Sequence, residues 1–372
     1  MHKLTFYPIN NANCILIELD NGQLILFDYA NPGDPQNDED KRIDTASEIK
    51  ALLKKRNRNN IDVVVFTHID LDHIGGASEL FYLQHAQKYQ SDDRIKIDNL
   101  WIPAGVILEE RTEDEARIVR AEACYRLKQG KGIRVFSRPK KLESWLNKQN
   151  PKLTLEERKH LITDAGKLVP GFSAAEDGVE FFVHSPFATR QNDNELIDRN
   201  GNCIVVQATF LFDSVETKVI LTGDIHQEAL DNIVKNTKIH QNEHCLEWDI
   251  YLVPHHCSYK SLNEVEKGTN TTTPTEEIRW LLEEQGQNRG IIVSSSKPIP
   301  SEDTTQPPHR QAANYYQKCA QSKDGEFIVT MEHPKASAPK PLIITIDNSG
   351  ATKKQISYGT PLIVTKSTPR AG

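Results

Sequence analysis

The chain has 372 residues, of which 37% are hydrophobic and 26% are charged, and its formal net charge is −7. This balance indicates a folded globular protein, and it excludes a disordered chain and a surface-wide positive field that would attract nucleic acid. The amino-terminal segment has no basic stretch before an apolar one, and no uncharged apolar run of about 18 residues occurs, so neither secretion nor a membrane span is predicted. The six cysteines include no C-x-x-C pair, which predicts reduced thiols in a cytoplasmic protein and excludes a zinc finger.

The predicted elements begin with short strands and then alternate between strands and helices. In the first third, strands are predicted at 4–8, 14–19, 23–28, 61–66 and 99–103. A helix at 46–56 is expected to begin at a capping box of Thr45 and Glu48. Later strands are predicted at 180–184, 203–210, 218–222, 250–253, 290–294, 326–331 and 342–346, and helices at 227–236, 276–284 and 311–320. This order predicts an α/β fold, a layered sandwich with mixed sheets.

Residues 106–170 differ from the rest of the chain, because they are charged and helix-forming with few strand signals. We interpret them as a helical insertion. Basic residues outnumber acidic ones at 126–160. This segment is either a solvated helical surface or a surface that binds along the phosphates of a nucleic acid. The predicted organisation is one domain over 1–372, with this insertion and a small C-terminal β extension at about 325–372.

The stretch THIDLDHIGG at 67–76 places four potential metal ligands directly after the apolar strand 61–66. Unpaired carboxylates are too costly to bury, so a cation is expected to neutralise them. His68 and Asp70 can converge on one ion, while Asp72 and His73 can reach a second ion beside it. The alternative is a surface turn in which an Asp caps a helix and the histidines are incidental.

Two further groups of polar residues follow later strands. Asp224 ends the stretch VILTGD at 219–224, and His255 and His256 follow the strand 250–253. Because ligands gather at the carboxyl ends of strands in open sheets, these side chains are expected near the first cluster. Taken singly, Asp224 could cap the following helix, and either histidine could be an ordinary loop residue.

In the order and spacing of its motifs, the chain resembles the metallo-β-lactamase-fold metallohydrolases, and within them the branch typified by the metallohydrolase domain of the competence protein ComEC. The motifs are Asn13-Cys14, Leu26-Phe27-Asp28, THIDLDHIGG, GNCIVV at 201–206, VILTGD and VPHHCS at 253–258. Residues 291–296 and 306–309 resemble two further motifs of the family. The resemblance implies a metallo-β-lactamase αββα four-layer sandwich with a helical insertion, and a metal-dependent hydrolase.

The resemblance also implies a role for each matching residue. The implied metal ligands are His68 with Asp70, Asp72 with His73, Asp224 as a bridge between two ions, and His255 as the last imidazole. His256 would be a neighbour and a phosphate contact, although the choice between these two histidines stays open. His184 and Asn202 are candidates to complete the first metal position.

The chain departs from the more familiar pattern H-x-H-x-D-H, because Asp70 stands where an imidazole is usual and no clear middle histidine remains. A carboxylate oxygen is a harder ligand than an imidazole nitrogen. This exchange moves the metal preference of the site from zinc toward manganese, or it weakens metal binding at one position. The expected cofactors are therefore two divalent ions, either Zn or Mn. A second departure is Cys257, which stands where the branch has Gly and is either a soft ligand or a small buried residue.

Two divalent ions can hold a water between them and lower its pKa, so the predicted nucleophile is a metal-bridging hydroxide. The sequence has no convincing G-x-S-x-G or Cys–His arrangement that would supply a side-chain nucleophile. Asp72 is expected to orient the water or accept its proton, and His256 or His309 to stabilise or protonate the leaving group.

The resemblance favours a phosphodiester substrate, and hence a phosphodiesterase or nuclease that acts on nucleic acid or on a nucleotide. Lys260, just beyond the histidine pair, agrees with a phosphate. The first alternative is an ester, thioester or lactam hydrolase with the same metal centre, which would need an apolar pocket. The second is a weakly catalytic metal-binding subunit of a multi-protein system, which would have a protein partner. No membrane partner is expected.

Overall fold

The structure is a computed structural model that describes residues 1–189 and 198–354. Its strands are β1 (His2–Phe6), β2 (Ile15–Glu18), β3 (Leu24–Phe27), β4 (Asn60–Val65), β5 (Phe81–Tyr82), β6 (Ile95–Pro103), β7 (Ile133–Phe136), β8 (Ile162–Thr163), β9 (Val179–Ser185), β10 (Val205–Phe212), β11 (Val215–Leu221), β12 (Trp248–Leu252), β13 (Gly286–Ser294), β14 (Glu326–Val329), β15 (Leu342–Asp347) and β16 (Gly350–Lys353). They form two sheets.

The helices lie mainly between strands that are parallel neighbours. They are α1 (Thr45–Lys55), α2 (Leu71–Ile74), α3 (Ala77–Leu80), α4 (Ala104–Leu108), α5 (Asp114–Gln129), α6 (Lys140–Asn147), α7 (Leu155–Arg158), α8 (Ala174–Asp177), α9 (Gln227–Ile239), α10 (Glu276–Glu283) and α11 (Arg310–Gln321). The predicted capping box at Thr45 is wrong, because Asp44 is the N-cap and its side chain accepts a hydrogen bond from the Ser47 amide. A carboxylate is a strong cap, and it begins the helix one residue earlier than predicted.

The larger sheet has an antiparallel half and a parallel half. Its strand order is β16-β15-β1-β2-β3-β4-β6-β7-β8, with β5 beside β6. The strands from β3 to β8 pair in parallel, and Phe27 of β3 lies opposite Val65 of β4. The loops after these two strands therefore leave the sheet at the same edge, and they carry Asp28 and THIDLDHIGG.

The smaller sheet has the order β14-β13-β12-β11-β10-β9. β9, β10 and β11 pair in antiparallel fashion, whereas β11, β12, β13 and β14 are parallel. Ile220 of β11 lies opposite Tyr251 of β12, so the loops that follow these strands also share one edge. Those loops carry Asp224 and the histidine pair.

The two sheets pack face to face, and helices cover their outer faces. A buried cluster between the sheets joins Phe6 and Val65 of the larger sheet to Val206 and Leu221 of the smaller one. Ile49 of α1 belongs to the core on the outer side of the larger sheet. The third core lies between the smaller sheet and the helices α9, α10 and α11. These layers confirm the predicted α/β fold and its αββα order.

Residues 106–170 are not purely helical. They contain α5, α6 and α7, but also β7 and β8, which extend the larger sheet in parallel. These strands have four and two residues, too short for a periodic signal in the sequence. Several basic groups of this segment are engaged internally: Arg126 is buried and donates to Glu122, and Arg158 donates to the carbonyls of Leu127 and Lys128. This favours a structural role over a phosphate-tracking surface.

The predicted C-terminal extension at 325–372 is divided between the two sheets. β14 is an edge strand of the smaller sheet, whereas β15 pairs with β1 and β16 closes the end of the larger sheet. Residues 355–372 of that prediction lie outside the described residues. None of the described helices has the length and the apolar composition that a bilayer span requires.

Candidate metal centre

Four side chains from three segments that follow strands converge at the shared edge of the two sheets, and two of them, Asp72 and His73, belong to α2. Within the described residues, Asp72, His73, Asp224 and His256 each offer one ligand atom, and these four atoms lie within 4.8 Å of one another. His73 Nε2 is 3.0 Å from Asp224 Oδ1, and His256 Nε2 is 3.2 Å from Asp72 Oδ2 and 3.5 Å from Asp224 Oδ1. Two imidazole nitrogens and two carboxylate oxygens form a donor set that suits a divalent transition metal.

The other ring nitrogen of each histidine is held by a separate acceptor. His73 Nδ1 lies 2.6 Å from Asp28 Oδ2, and His256 Nδ1 lies 2.8 Å from the carbonyl oxygen of Ser295. In its neutral form, a ring that donates Nδ1–H to such an acceptor directs the lone pair of Nε2 into the cluster. Such outer partners fix the tautomer and orientation of metal-binding histidines, so the surroundings fit a metal ion.

Asp28 is fully buried and also anchors the loop after β4. Its carboxylate accepts hydrogen bonds from the Thr67 amide at 2.7 Å and from Thr67 Oγ1 at 2.9 Å. Gly223 lets the loop after β11 approach the same threonine, because a Cβ at position 223 would lie 2.7 Å from Thr67 Oγ1. These contacts position His73 and Asp224 relative to each other.

Asp28→Asn is expected to weaken binding of Zn²⁺ or Mn²⁺ by on the order of 10- to 100-fold, as is typical for an outer partner of a metal ligand. The amide keeps only one acceptor oxygen, so its NH2 group must face either the Thr67 amide or Nδ1 of His73, and the contact that fixes the tautomer of His73 is weakened. Calorimetric titration of the metal-stripped protein measures the change. Asp62→Asn is a matched control, because Asp62 also accepts from a backbone amide but in another part of the larger sheet. Equal affinities for the two variants would contradict the prediction.

The charges of the cluster compensate one another. Burial disfavours a charged His73, but Asp224 and Asp28 outweigh burial and raise the pKa of His73 well above its ordinary value. Likewise, burial opposes a charge on His256, while Asp224 and the hydrogen bond to Asp72 raise its pKa. Burial opposes ionisation of Asp72, yet His256 brings the pKa of Asp72 down to about 2. The surrounding carboxylates thus favour positive charge at both rings, and a divalent cation can supply that charge in place of the ring protons.

The histidine pair has an unusual backbone. His255, His256 and Cys257 all have positive φ, at 49°, 50° and 67°. A left-handed conformation costs an L-residue roughly 1–2 kcal/mol, and such strain is often found at functional sites. The turn aims His256 into the cluster and leaves the His255 side chain 25% exposed, with its Nε2 3.8 Å from Asp224 Oδ2. Of the two histidines that the sequence left open, His256 is the one in the four-residue cluster.

The predicted first metal position is arranged differently. His68 is buried, and its Nε2 lies 3.6 Å from Asp70 Oδ2 without a hydrogen-bond partner among the described residues. Burial lowers the pKa of His68 to about 4, with a further contribution from His73. Asp70 is 37% exposed and forms an ion pair with Arg199. Asn202 is buried beside His68, in a small cavity that these residues share.

Three further predicted residues lie outside the cluster. His184 is buried and its Nε2 is 2.7 Å from the carbonyl oxygen of Cys245, so the structure does not bring it to the first metal position. Lys260 is exposed on the short helical turn Tyr259–Ser261. His309 precedes α11 and accepts a hydrogen bond from the Tyr259 amide. Burial lowers the pKa of His309 to about 4, so the neutral ring is a hydrogen-bonding group rather than a strong acid at pH 7.

His184 gives a prediction about stability and pH. Burial lowers its pKa to about 4, partly opposed by the Cys245 carbonyl, whereas an unfolded histidine has a pKa of about 6.5. The unfolded chain therefore binds more protons between these values, and stability falls as the pH drops from 6.5 toward 4. This residue should cost roughly 2 kcal/mol by pH 5. His184→Gln should lack that loss, so the free energies of unfolding of the two proteins, measured in urea at pH 7 and pH 5, should converge. Parallel pH profiles would disprove the assignment.

Some site residues were not singled out by the sequence. Asp28 was part of a motif without a role, although its position after a buried strand was a usable signal. The Ser295 carbonyl and Arg199 gave no signal at all. A backbone acceptor carries no residue-type information, and Arg199 meets Asp70 only through the tertiary fold.

Residues 8–94 match the family model of the metallo-beta-lactamase superfamily. This part of the chain is similar to that superfamily. The matched segment includes Asp28 and the whole of THIDLDHIGG, from which come two of the four cluster residues. The match supports the predicted superfamily for residues 8–94, whereas the ComEC-type branch stays a prediction.

Comparison with solved structures finds distant similarity in the overall arrangement. Unliganded yeast PDE1 is 11% identical with a TM-score of 0.45, over 88% of this chain and 96% of that chain. A diphosphatase from the PhnP family is 8% identical with a TM-score of 0.35, over 88% and 95% of the two chains. The metallo-beta-lactamase SMB-1 is 11% identical with a TM-score of 0.30, over 68% and 79%. A comparison with curated proteins found no match. At these values, the similarities carry no argument about activity.

Proposed function

We propose that this protein is a metal-dependent hydrolase that cleaves phosphodiesters in nucleic acid or in a nucleotide. The observation that carries the proposal is the convergence of Asp72, His73, Asp224 and His256 at the edge of the sheets. A divalent ion held there supplies Lewis acidity, which activates water and stabilises charge on a phosphoryl oxygen. The resemblance to the ComEC-type branch favours the same substrate class.

The four side chains differ in their access to solvent. His73, His256 and the Asp224 carboxylate are nearly inaccessible, whereas the side chain of Asp72 is 35% exposed. Asp72 is therefore the carboxylate that can meet an incoming substrate or water, in keeping with a role in orienting water or accepting its proton. His255, beside Asp224 and partly exposed, can contact the substrate from the other side.

The cavity next to Asp72 supports a phosphate-containing substrate. Its volume is about 560 Å³, within the range of small-molecule sites. Besides Asp72 and small apolar groups, its lining includes Asn10, Asn11, Asn31, Arg42, Glu115 and Lys297. Arg42 is already paired with Asp40, whereas no carboxylate in the described ranges lies within ion-pair distance of Lys297. An exposed ammonium in a cavity that Asp72 also lines suits a phosphodiester better than a lactam or thioester, which requires an apolar pocket.

Lys297→Gln is expected to lower kcat/KM for a phosphodiester by on the order of 10-fold, because one charge-assisted hydrogen bond to substrate is lost. Metal affinity should not change, since Lys297 lies in the cavity and not in the cluster. Lys148→Gln, an exposed lysine at the end of α6, is the matched control. Equal kcat/KM for the two variants would show that the cavity does not bind the phosphate.

The proposed function is tested by offering three substrate classes to the same protein. Metal-stripped protein is resupplied with Mn²⁺ or Zn²⁺ and assayed with bis(p-nitrophenyl) phosphate, a thioester and a lactam. Metal-dependent cleavage of the diester alone, lost in Asp72→Asn, is the expected result. Cleavage of only the carbonyl compounds would overturn the choice of substrate, and metal binding without any turnover would overturn the assignment as an enzyme.

A further inference from the structure

An ion triad lies directly beside the four-residue cluster. Arg199 Nη1 is paired with Asp70 Oδ1, and Arg199 Nη2 lies 2.6 Å from Glu109 Oε1. Arg199 Nε also contacts both oxygens of Glu109, at 3.1 and 3.0 Å. All three nitrogens of the guanidinium therefore face protein acceptors. The two carboxylates raise the pKa of Arg199, so this group carries a permanent positive charge.

The charged side chains divide into two groups. Asp72 and Asp224 belong to the cluster, where one divalent cation balances both carboxylates. Asp70, which the sequence assigned together with His68 to the other ion, is paired with Arg199, whose positive charge it shares with Glu109. A second dication at Asp70 would lie next to the guanidinium, and the two positive charges would repel each other.

A small cavity lies between His68 and Arg199. This cavity of about 10 Å³, the size of one water, is bordered by His68, Glu109, Arg199 and Asn202. Two buried atoms at this place, His68 Nε2 and Asn202 Oδ1, have no hydrogen-bond partner in the described parts of the chain. An imidazole nitrogen and an amide oxygen are both possible metal ligands. A cation held by them would lie beside the positively charged Arg199, which lines the same cavity.

We propose that Arg199 takes the place of a second metal ion. The centre then binds one firmly held divalent ion at Asp72, His73, Asp224 and His256, and the guanidinium supplies the second positive charge beside Asp70. This inference rests on the proposed metal-dependent function. It makes Arg199 a positioning residue, because its contacts are with protein carboxylates and not with the ion.

The test counts the ions bound by the wild-type full chain and by three variants at equal free Zn²⁺ or Mn²⁺. Elemental analysis after equilibrium dialysis gives the number of bound ions, and calorimetry gives their affinities. Wild type and Asp70→Asn should each bind one ion. Arg199→Gln should bind two, with affinity for the second ion higher by on the order of 10- to 100-fold than in wild type. The double variant Arg199→Gln/Asp70→Asn should return to one ion, because the second ion needs the Asp70 carboxylate. Thermal unfolding of each variant verifies that it is folded.

The possible outcomes separate this inference from the proposed function. Two ions in wild type that fall to one in Asp70→Asn would overturn the inference and leave the metal-dependent function standing. A single ion in both wild type and folded Arg199→Gln would also overturn it, because the guanidinium would then not be what excludes the second ion. No bound ion in wild type would overturn the proposed function itself.

Discussion

Asp224→Asn is expected to lower metal affinity by on the order of 10²- to 10³-fold and to abolish metal-dependent hydrolysis at ordinary metal concentrations. Asp224 is nearly inaccessible, and its carboxylate lies within 3.8 Å of three imidazoles, those of His73, His255 and His256. Removing one partner from a buried set of charges costs about 3–5 kcal/mol, and about 1.4 kcal/mol corresponds to a tenfold change in affinity. Burial opposes a charge on Asp224, but His256 and His73 outweigh burial and hold the pKa of Asp224 well below its ordinary value, so the carboxylate is charged at neutral pH.

Calorimetric titration with Zn²⁺ and Mn²⁺ and hydrolysis of bis(p-nitrophenyl) phosphate measure both effects. Asp249→Asn is the matched control, because Asp249 is a mostly buried aspartate of the same sheet that accepts a hydrogen bond from the Lys218 amide. The control should bind metal like wild type. If Asp224→Asn kept wild-type affinity, the four-residue cluster would not be the metal centre.

His256→Asn is expected to weaken metal binding by at least on the order of 10²-fold, more than the loss of an outer partner. The change removes one of four candidate ligands, whose Nε2 lies 3.2 Å from Asp72 and whose Nδ1 is held by Ser295. Asparagine tolerates the left-handed backbone that position 256 adopts, so the loss is not caused by new strain. The titrations used for Asp224→Asn report the change.

His255→Asn is the internal comparison for this experiment. The two histidines are adjacent and have nearly the same φ, but only His256 belongs to the cluster. We expect His255→Asn to retain metal affinity within about tenfold of wild type, the effect of an outer neighbour. The reverse order, with the larger loss at position 255, would assign the ligand to His255, as the resemblance in sequence suggested.

The two pairs of parallel strands explain why the centre forms where it does. β3 and β4 in one sheet and β11 and β12 in the other end at the same edge, and each of these four strands is followed by residues of the site. The binding groups are thus carried by short loops on rigid strands, which position side chains more accurately than long loops do. Changes in the helices of 106–170 should affect the centre less than changes at these strand ends.

The sequence alone determines the chemistry that this protein can offer and the class of its fold. Alternating strands and helices predict the layered sandwich, and local spacing brings His68, Asp70, Asp72 and His73 into one loop after a buried strand. These features are local, because strand periodicity and ligand spacing involve residues within a few positions of each other. For the same reason, the two- and four-residue strands β8 and β7 were missed, since segments this short have no recognisable period.

The tertiary structure decides which of those groups act together. Asp28 and His73 are separated by 45 residues, Asp70 and Arg199 by 129, and Asp72 and His256 by 184. The choice of His256 over His255 depends on a left-handed turn, and the compensation of Asp70 depends on a guanidinium from a distant loop. Electrostatic pairing and imidazole tautomers depend on distances of a few ångströms between such remote residues, and only the packing of the two sheets sets those distances.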